Sequence, residues 1–378
     1  MIARLVAPMP RTVRLRSRRK PALLPADPQE SARIAGLRHI LAEGPGIGRK
    51  RAGKGFCYIG PDGKAVTDRE ELKRIRGLMI PPAWTSVWIC PFKQGHLQAV
   101  GRDARGRKQY RYHPVYRLIR DQTKFERIIA FGEAVPAIRK QVQHDLELPG
   151  MPKNKVLATV LKLLETTRIR VGNEEYARTN ESYGLTTMRE DHVEVSGYKL
   201  RFRFRGKSGL EHNIELADRR LAKIVHDCQC IPGEELFHYI DPDGQVCKIY
   251  SEDVNNYLRE ITGQDFTAKD FRTWGGTGQA AMELESIGPA SSETETKKNI
   301  VTAIKAVASK LGNKPSTCRK YYVHPVVLDS YTDGGLFDFM KKASGSDSPF
   351  GLRREEACVL DVVRSRKPTV TINPTKAA

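Results

Sequence analysis

Residues 199–217 carry the pattern that most restricts the fold. Leu200, Phe202 and Phe204 interleave with Arg201, Arg203 and Arg205, the turn sequence Gly206-Lys207-Ser208-Gly209 follows, and a second run extends over Leu210–Leu216. A period of two sends neighbouring side chains to opposite faces of a strand. The segment therefore reads as a half-buried hairpin with one cationic face and Lys207 at its exposed tip. An all-helical chain is excluded.

Elsewhere the period changes. Val156, Val160 and Leu164, with Leu157 and Leu161 beside them, repeat every four residues and predict an amphipathic helix. Ile300, Ile304, Val307 and Leu311 predict another, ended by Gly312. Ser31–Glu43 has helical spacing and stops at Gly44, Asp68–Arg76 suits a short helix, and Phe56–Ile59, Val87–Cys90 and His96–Val100 suit strands. A second hairpin is expected around Asp241-Pro-Asp-Gly244, and a polar, mobile stretch at Ser291–Thr296. The expected class is α+β: a small strand-rich amino domain and a larger, mainly helical domain carrying a β-hairpin. The expected boundaries are a disordered basic arm (1–28), the amino domain (29–112), the larger domain (113–342), and a linker, helix and tail (343–378).

Charge selects the partner. The 378 residues include 64 Lys and Arg against 44 Asp and Glu, a formal net charge of +20. Such an excess points to a polyanion, nucleic acid before an anionic membrane surface. No apolar run approaches the length of a spanning helix. Seven cysteines, an odd number in a long chain, suit reduced thiols in a cytoplasmic setting, and the lone Cys228-x-Cys230 lacks partners at zinc-finger spacing. The first 20 residues hold seven cations and no acid, which suits an arm lying on phosphates better than an Arg-rich targeting peptide.

Two basic segments invite a ligand. Gly48-x4-Gly53-Lys54 approaches a phosphate-cradling nucleotide loop, but Gly55 stands where a Ser or Thr hydroxyl would hold Mg²⁺. It is read as a flexible basic loop, and no nucleotide cofactor is expected. In Gly101–Tyr112 the cations Arg102, Arg105, Arg107 and Lys108 surround Gln109, Tyr110 and Tyr112. Cations neutralise phosphates and tyrosines stack or hydrogen-bond at a base edge, so this segment is a candidate nucleic-acid contact.

Four pieces then occur in order: Ile169-Arg170-Val-Gly172 with Tyr176 following, Gly206-Lys207, Lys269-Asp-Phe-Arg272-Thr-Trp274-Gly275, and Asn313-Lys-Pro-Ser-Thr-Cys-Arg-Lys-Tyr-Tyr322-Val-His-Pro. Together they resemble the poxvirus-type (bacterial and viral) type IB DNA topoisomerases, from about residue 30 to about residue 340. Gly101–Tyr112 also resembles the family's amino-domain DNA contact.

The resemblance implies relaxation of supercoiled duplex DNA by a monomer that closes as a clamp, through a 3′-phosphotyrosyl link, without ATP or metal. It implies Tyr322 as nucleophile, Arg170 and Arg272 as phosphate clamps, Lys207 as the acid that protonates the 5′ oxygen, and Lys269 as a further phosphate contact. Asn313 stands where viral and eukaryotic relatives have His and bacterial ones have Asn, which favours a bacterial-type, nucleoid-associated protein. Asn neither gains nor loses a proton, so that position needs only a neutral hydrogen bond to phosphate. The chemistry suits the set. A phenol is a tolerable leaving group for religation, two guanidiniums and a third donor can hold charge developing on phosphorus oxygens, and the sugar oxygen needs a proton to depart.

Alternatives remain at this point. Tyr321 adjoins Tyr322, although the spacing from Asn313 favours the latter. Trp274 could simply stack on Arg272. His324 reads as the cap of a helix starting at Pro325, and Glu174 and Glu175 as first-turn acids. A tyrosine recombinase would use a similar set, but recombinases show His-x-x-Arg where this chain has Lys269-Asp-Phe-Arg272. A non-catalytic architectural DNA-binding protein would satisfy the charge alone.

Overall fold

The computed structural model describes residues 28–366 except Lys54 and Arg105. Residues 1–27 of the predicted basic arm and the last residues of the tail lie outside the described residues, while Pro28, placed in that arm, begins a helix. The chain forms two compact units, one up to Arg127 and one from Ile128 onward.

The first unit opens with helix α1 (Pro28–Ile34) and then builds a five-stranded antiparallel sheet from β1 (Ile47–Ala52), β2 (Gly55–Ile59), β3 (Thr85–Ile89), β4 (Leu97–Arg102) and β5 (Lys108–Tyr112) in the order β2-β1-β3-β4-β5. Helix α2 (Arg69–Gly77) lies between β2 and β3 in sequence, and Asp68 caps it by accepting from the Glu70 and Glu71 amides. Its Ile75 joins Ile47, Val87, Ile89 and Ala99 in the core.

Two expectations fail here. The first helix stops at Ile34 rather than Glu43, because Gly36 turns the chain at φ +66° and Arg38 then bridges to Gly95. The supposed flexible basic loop is strand β1, paired along its length with β2. Charge concealed it: only Ile47 of this strand is buried. Trp88 fixes the entry by donating to the Gly44 carbonyl at 2.9 Å, and a Cβ on Gly46 would lie 2.1 Å from its ring.

Helix α3 (Pro114–Leu146) starts in the first unit and ends in the second. The second unit continues through α4 (Lys153–Thr167), α5 (Glu174–Asn180), the sheet β6 (Val193–Ser196), β7 (Lys199–Arg205) and β8 (Glu211–Ala217), then α6 (Arg219–Gln229). A small hairpin, β9 (His238–Ile240) and β10 (Val246–Lys248), precedes α7 (Ser251–Thr262), α8 (Ala268–Ile287), α9 (Glu293–Leu311), α10 (Pro315–Tyr321), α11 (Pro325–Thr332), α12 (Gly335–Lys342) and α13 (Arg354–Ser365). In β7, Leu200, Phe202 and Phe204 are buried between half-buried or exposed arginines, as the alternation requires. Both hairpins form where predicted. Ser291–Thr296 is not a loose stretch: Ser292 caps α9 by accepting from the Glu295 amide.

The core of this unit centres on α4 and α8. Phe131 meets Phe266, Phe271 and Trp274 edge-on, and Gly132 lies so close to the indole that a Cβ would meet it at 2.4 Å. Trp274 is therefore a core side chain, not a partner of Arg272. Residues 352–364, read from sequence as part of an appended tail, instead supply core side chains. Cys358, Val359, Val362 and Val363 of α13 are buried. Glu356 accepts from Arg139 at 2.8 Å and from the Trp274 indole at 3.1 Å, while Arg139 also donates to Glu165 at 2.7 Å. Glu356→Ala would leave a buried guanidinium half-compensated and an indole N–H unpaired. It should cost about 3–5 kcal/mol, read as a lower unfolding midpoint by calorimetry; an unchanged midpoint would contradict this role for α13.

All seven cysteines are free thiols. Burial pushes the Cys228 thiol up to about 12, while Cys230 is exposed. No described helix is long and apolar enough to cross a membrane.

Candidate active site

Arg170 follows α4 on a short extended segment. The turn into that segment is made by Arg168 in the left-handed conformation, φ 60°. The backbone is then pinned from the other side: the Leu185 amide donates to the Arg170 carbonyl at 2.8 Å and the Thr186 amide to the Val171 carbonyl at 2.6 Å. Gly172 is needed beneath that turn, since its φ is +118° and a Cβ would lie 2.7 Å from the Thr186 hydroxyl. The Arg170 guanidinium reaches the carbonyl of Gly312 at 3.3 Å and the side-chain oxygen of Asn313.

Arg272 comes from the second turn of α8 and is 4% exposed. Its guanidinium donates to the Leu311 carbonyl at 2.7 Å and to the Arg168 carbonyl. The two arginines thus grip the same backbone, the C-terminus of α9, where Gly312 ends the helix at φ +57° and turns Asn313 inward.

Tyr322 closes the group from the C-terminus of α10. Its backbone is held against α8, with its carbonyl accepting from Thr277 at 3.3 Å and approaching Gly276 so closely that a Cβ there would lie 2.7 Å away. Its ring lies 5.1 Å from the Arg272 guanidinium carbon, and its phenolic group shares side-chain hydrogen bonds with both Arg170 and Arg272. Tyr321 lies instead beside Lys320, 5.3 Å from amine to ring. His324 caps α11 by accepting from the Val326 amide at 3.1 Å.

The electrostatics suit an anion. Burial, and then the charge of Arg170, pull Arg272 down to about 10, and burial lowers Arg170 as well. The partners of both are carbonyls, Asn313 and Tyr322 rather than carboxylates. Two buried donors, Arg272 Nε and Asn313 Nδ2, have no acceptor. Buried unpaired donors beside two cations are costly unless an oxyanion completes them. A cavity of about 610 Å³ opens beside the group, bordered by Arg168, His212, Gly275, Gly312 and Asn313.

The predicted residues do not all converge. Arg170, Arg272, Asn313 and Tyr322 share contacts. Lys207 stands on the exposed turn of residues 207–209, with its amine 5.8 Å from the ring centre of Tyr176. Lys269 is exposed one turn before Arg272 on α8. In the first unit, Arg107 pairs with Asp103 at 2.7 Å, Gln109 donates to Asp103 at 3.0 Å, and Arg102 donates to the Gly106 carbonyl at 2.8 Å. Lys108, Tyr110 and Tyr112 alternate onto the exposed face of β5. The two tyrosines stack, with ring centres 6.0 Å apart, and remain 46% and 39% exposed. Arg105 lies outside the described residues.

One residue escaped the sequence reading. His212 pairs across the hairpin with Phe204, the rings stacked at 4.8 Å, and it packs against both Gly206 and Gly312. Burial first, then the charges of Arg170 and Arg272, lower its pKa, so the imidazole is neutral at pH 7. Its only signal in sequence was its place opposite Phe204.

Comparison with known proteins covers both units. The family model described as eukaryotic DNA topoisomerase I, catalytic core, matches residues 113–336, and that described as bacterial DNA topoisomerase IB, N-terminal domain, matches residues 55–103. A DNA topoisomerase 1B of Acanthamoeba polyphaga mimivirus is 34% identical over 82% of this chain and 94% of its own length. A DNA topoisomerase 1B of Vaccinia virus (strain Copenhagen) is 26% identical over 75% of this chain and 92% of its own.

Proposed function

The chain belongs to the type IB DNA topoisomerases, and from that premise we propose that Tyr322 cuts and rejoins one strand of duplex DNA through a covalent 3′-phosphotyrosyl link. The carrying observation is the phenolic group held between the buried guanidinium of Arg272 and the half-buried one of Arg170, beside unpaired donors and with no carboxylate, among the described residues, on either arginine.

The Tyr322 oxygen attacks the phosphorus of a backbone phosphate and forms a new P–O bond as the bond to the 5′ oxygen breaks. Arg170 and Arg272 stabilise the charge that grows on the non-bridging oxygens, and the Asn313 amide N–H supplies a third, neutral donor. Lys207 gives its proton to the departing 5′ oxygen, and the phenolic proton passes to water. The freed strand turns about its partner and torsion is lost. The 5′ hydroxyl then attacks the phosphotyrosyl phosphorus, returns its proton to Lys207 and expels Tyr322. One phosphoester replaces another at each stage, so the bond energy is kept. The strain of the supercoil drives the change, and the guanidiniums supply the positive charge, so neither ATP nor a metal ion is consumed or required.

In this reading the protein acts as a monomer. Lys108, Tyr110 and Tyr112 of the first unit, with Arg102, Arg105, Arg107, Gln109 and, from α8, Lys269, hold the duplex by its phosphates and groove edges. Contacts to several phosphates release several counterions, so affinity should fall by about 10³–10⁵ between low and physiological salt. A flat salt profile in a filter-binding assay would contradict this.

The direct test is plasmid relaxation in excess chelator with no nucleotide. Negatively and positively supercoiled plasmid should both relax to a distribution of topoisomers. Dependence on added Mg²⁺ or ATP for any turnover would overturn the proposal, and recombinant products without relaxation would place the chain with a different strand-exchange chemistry.

A further inference from the structure

Lys207 and the tyrosine pocket sit on different elements, and one side chain joins them. The His212 ring stacks on Phe204 at 4.8 Å on the inner side of the hairpin. One edge meets the turn: a Cβ on Gly206, the residue before Lys207, would lie 2.5 Å from the imidazole Nε2. The adjoining edge, on the far side of Nε2, meets the end of α9: a Cβ on Gly312 would lie 2.1 Å from its Cε1. Gly312 is the residue whose carbonyl accepts from Arg170, between the Leu311 carbonyl that accepts from Arg272 and Asn313. The imidazole thus fills the gap between the base of the Lys207 turn and the backbone both clamp arginines hold. Only glycine at both positions allows it.

We propose that His212 is a positioning residue for Lys207, the pivot that sets the lysine turn against the Arg170, Arg272 and Tyr322 pocket for proton delivery to the departing 5′ oxygen. The proposal rests on the reading of Lys207 as the general acid. A rigid aromatic ring is suited to the task, because it transmits position without adding a charge beside two cations. Removing it leaves the hairpin intact through its own strand pairing, but frees the tip to drift, and a displacement of about 1 Å at a proton donor is enough to slow a step about 10²-fold.

The test separates positioning from simple damage. Single-turnover cleavage is measured on two duplex oligonucleotides, at a site mapped with the unaltered protein. One carries the ordinary 5′ bridging oxygen, the other sulfur at that atom. A thiolate departs without a proton, so the second duplex needs no acid. Lys207→Ala should be slow on oxygen and close to normal on sulfur. His212→Ala should show the same signature, about 10²-fold slow on oxygen and within about threefold of normal on sulfur. Gly206→Ala serves as the second variant. Its φ of −97° suits alanine, so the only penalty is against the ring, and it should reproduce the signature.

Slow cleavage by both variants on oxygen, relieved by sulfur, supports the proposal. If Lys207→Ala is relieved by sulfur and His212→Ala is not, the pivot is wrong while the acid stands. If Lys207→Ala is not relieved either, both fall. Normal cleavage of the oxygen duplex by His212→Ala also overturns it.

Discussion

Tyr322→Phe is expected to abolish both plasmid relaxation and covalent protein–DNA adducts on denaturing gels, while duplex binding survives. The substitution removes one oxygen, the only atom at this position that can form the phosphoester. It leaves the ring beside Arg272 and the backbone contacts to Thr277 and Gly276 in place. Binding should change by less than about thirtyfold, since two hydrogen bonds of about 1 kcal/mol each are lost with the hydroxyl. Adducts that persist at the original level would move the nucleophile, with Tyr321 the first candidate. Loss of binding together with cleavage would mean that the hydroxyl organises the arginine pair rather than reacting.

Arg272→Ala is expected to slow single-turnover cleavage by roughly 10²–10³-fold, the usual effect of deleting one donor from a preorganised oxyanion site. Arg272→Lys should recover little of this, because an ammonium keeps the charge but cannot present a planar fork to two acceptors at once. Stability should move far less than rate. The guanidinium is pulled down to about 10 by burial and by Arg170. A cation whose pKa falls on folding binds its proton less tightly in the folded state than in the unfolded one, so its charge opposes folding at every pH below about 10, and the opposition fades only above that. The alanine variant loses hydrogen bonds to the Leu311 and Arg168 carbonyls but also relieves the repulsion. Parallel calorimetry and rapid-quench cleavage check the pair. A collapse in unfolding temperature matching the loss in rate would recast Arg272 as structural.

Local periodicity made much of the fold legible. The hairpin around Lys207, the helix over residues 153–167 and the stop at Gly312 were readable because each is set by neighbours within a few residues. Strand β1 was hidden by its composition: Gly48, Arg49, Lys50 and Arg51 look like solvent, and only pairing with β2 and the cover of Trp88 make them a strand. Helix α13 was recognised as a helix but not as core, because its partners Arg139, Glu165 and Trp274 lie far away in sequence. The same distance rule governs the site. The motifs around Arg170, Arg272, Asn313 and Tyr322 named residues that the fold brings to one pocket. What joins them, the carbonyls of Leu311 and Gly312 and the ring of His212, has no local pattern to announce it. Trp274 shows the reverse error, since an aromatic two residues from an arginine suggested a stack where the indole serves the core.

The central claim is that one phenolic oxygen exchanges with a sugar hydroxyl on phosphorus, and it is tested most directly by trapping the protein on nicked duplex with denaturant, digesting both partners and weighing the peptide that retains a nucleotide. The account predicts a single modified peptide containing the sequence Lys320-Tyr321-Tyr322, with fragmentation placing the nucleotide on Tyr322. A nucleotide on Tyr321, on a serine or on any peptide outside α10 and its C-terminus would contradict it.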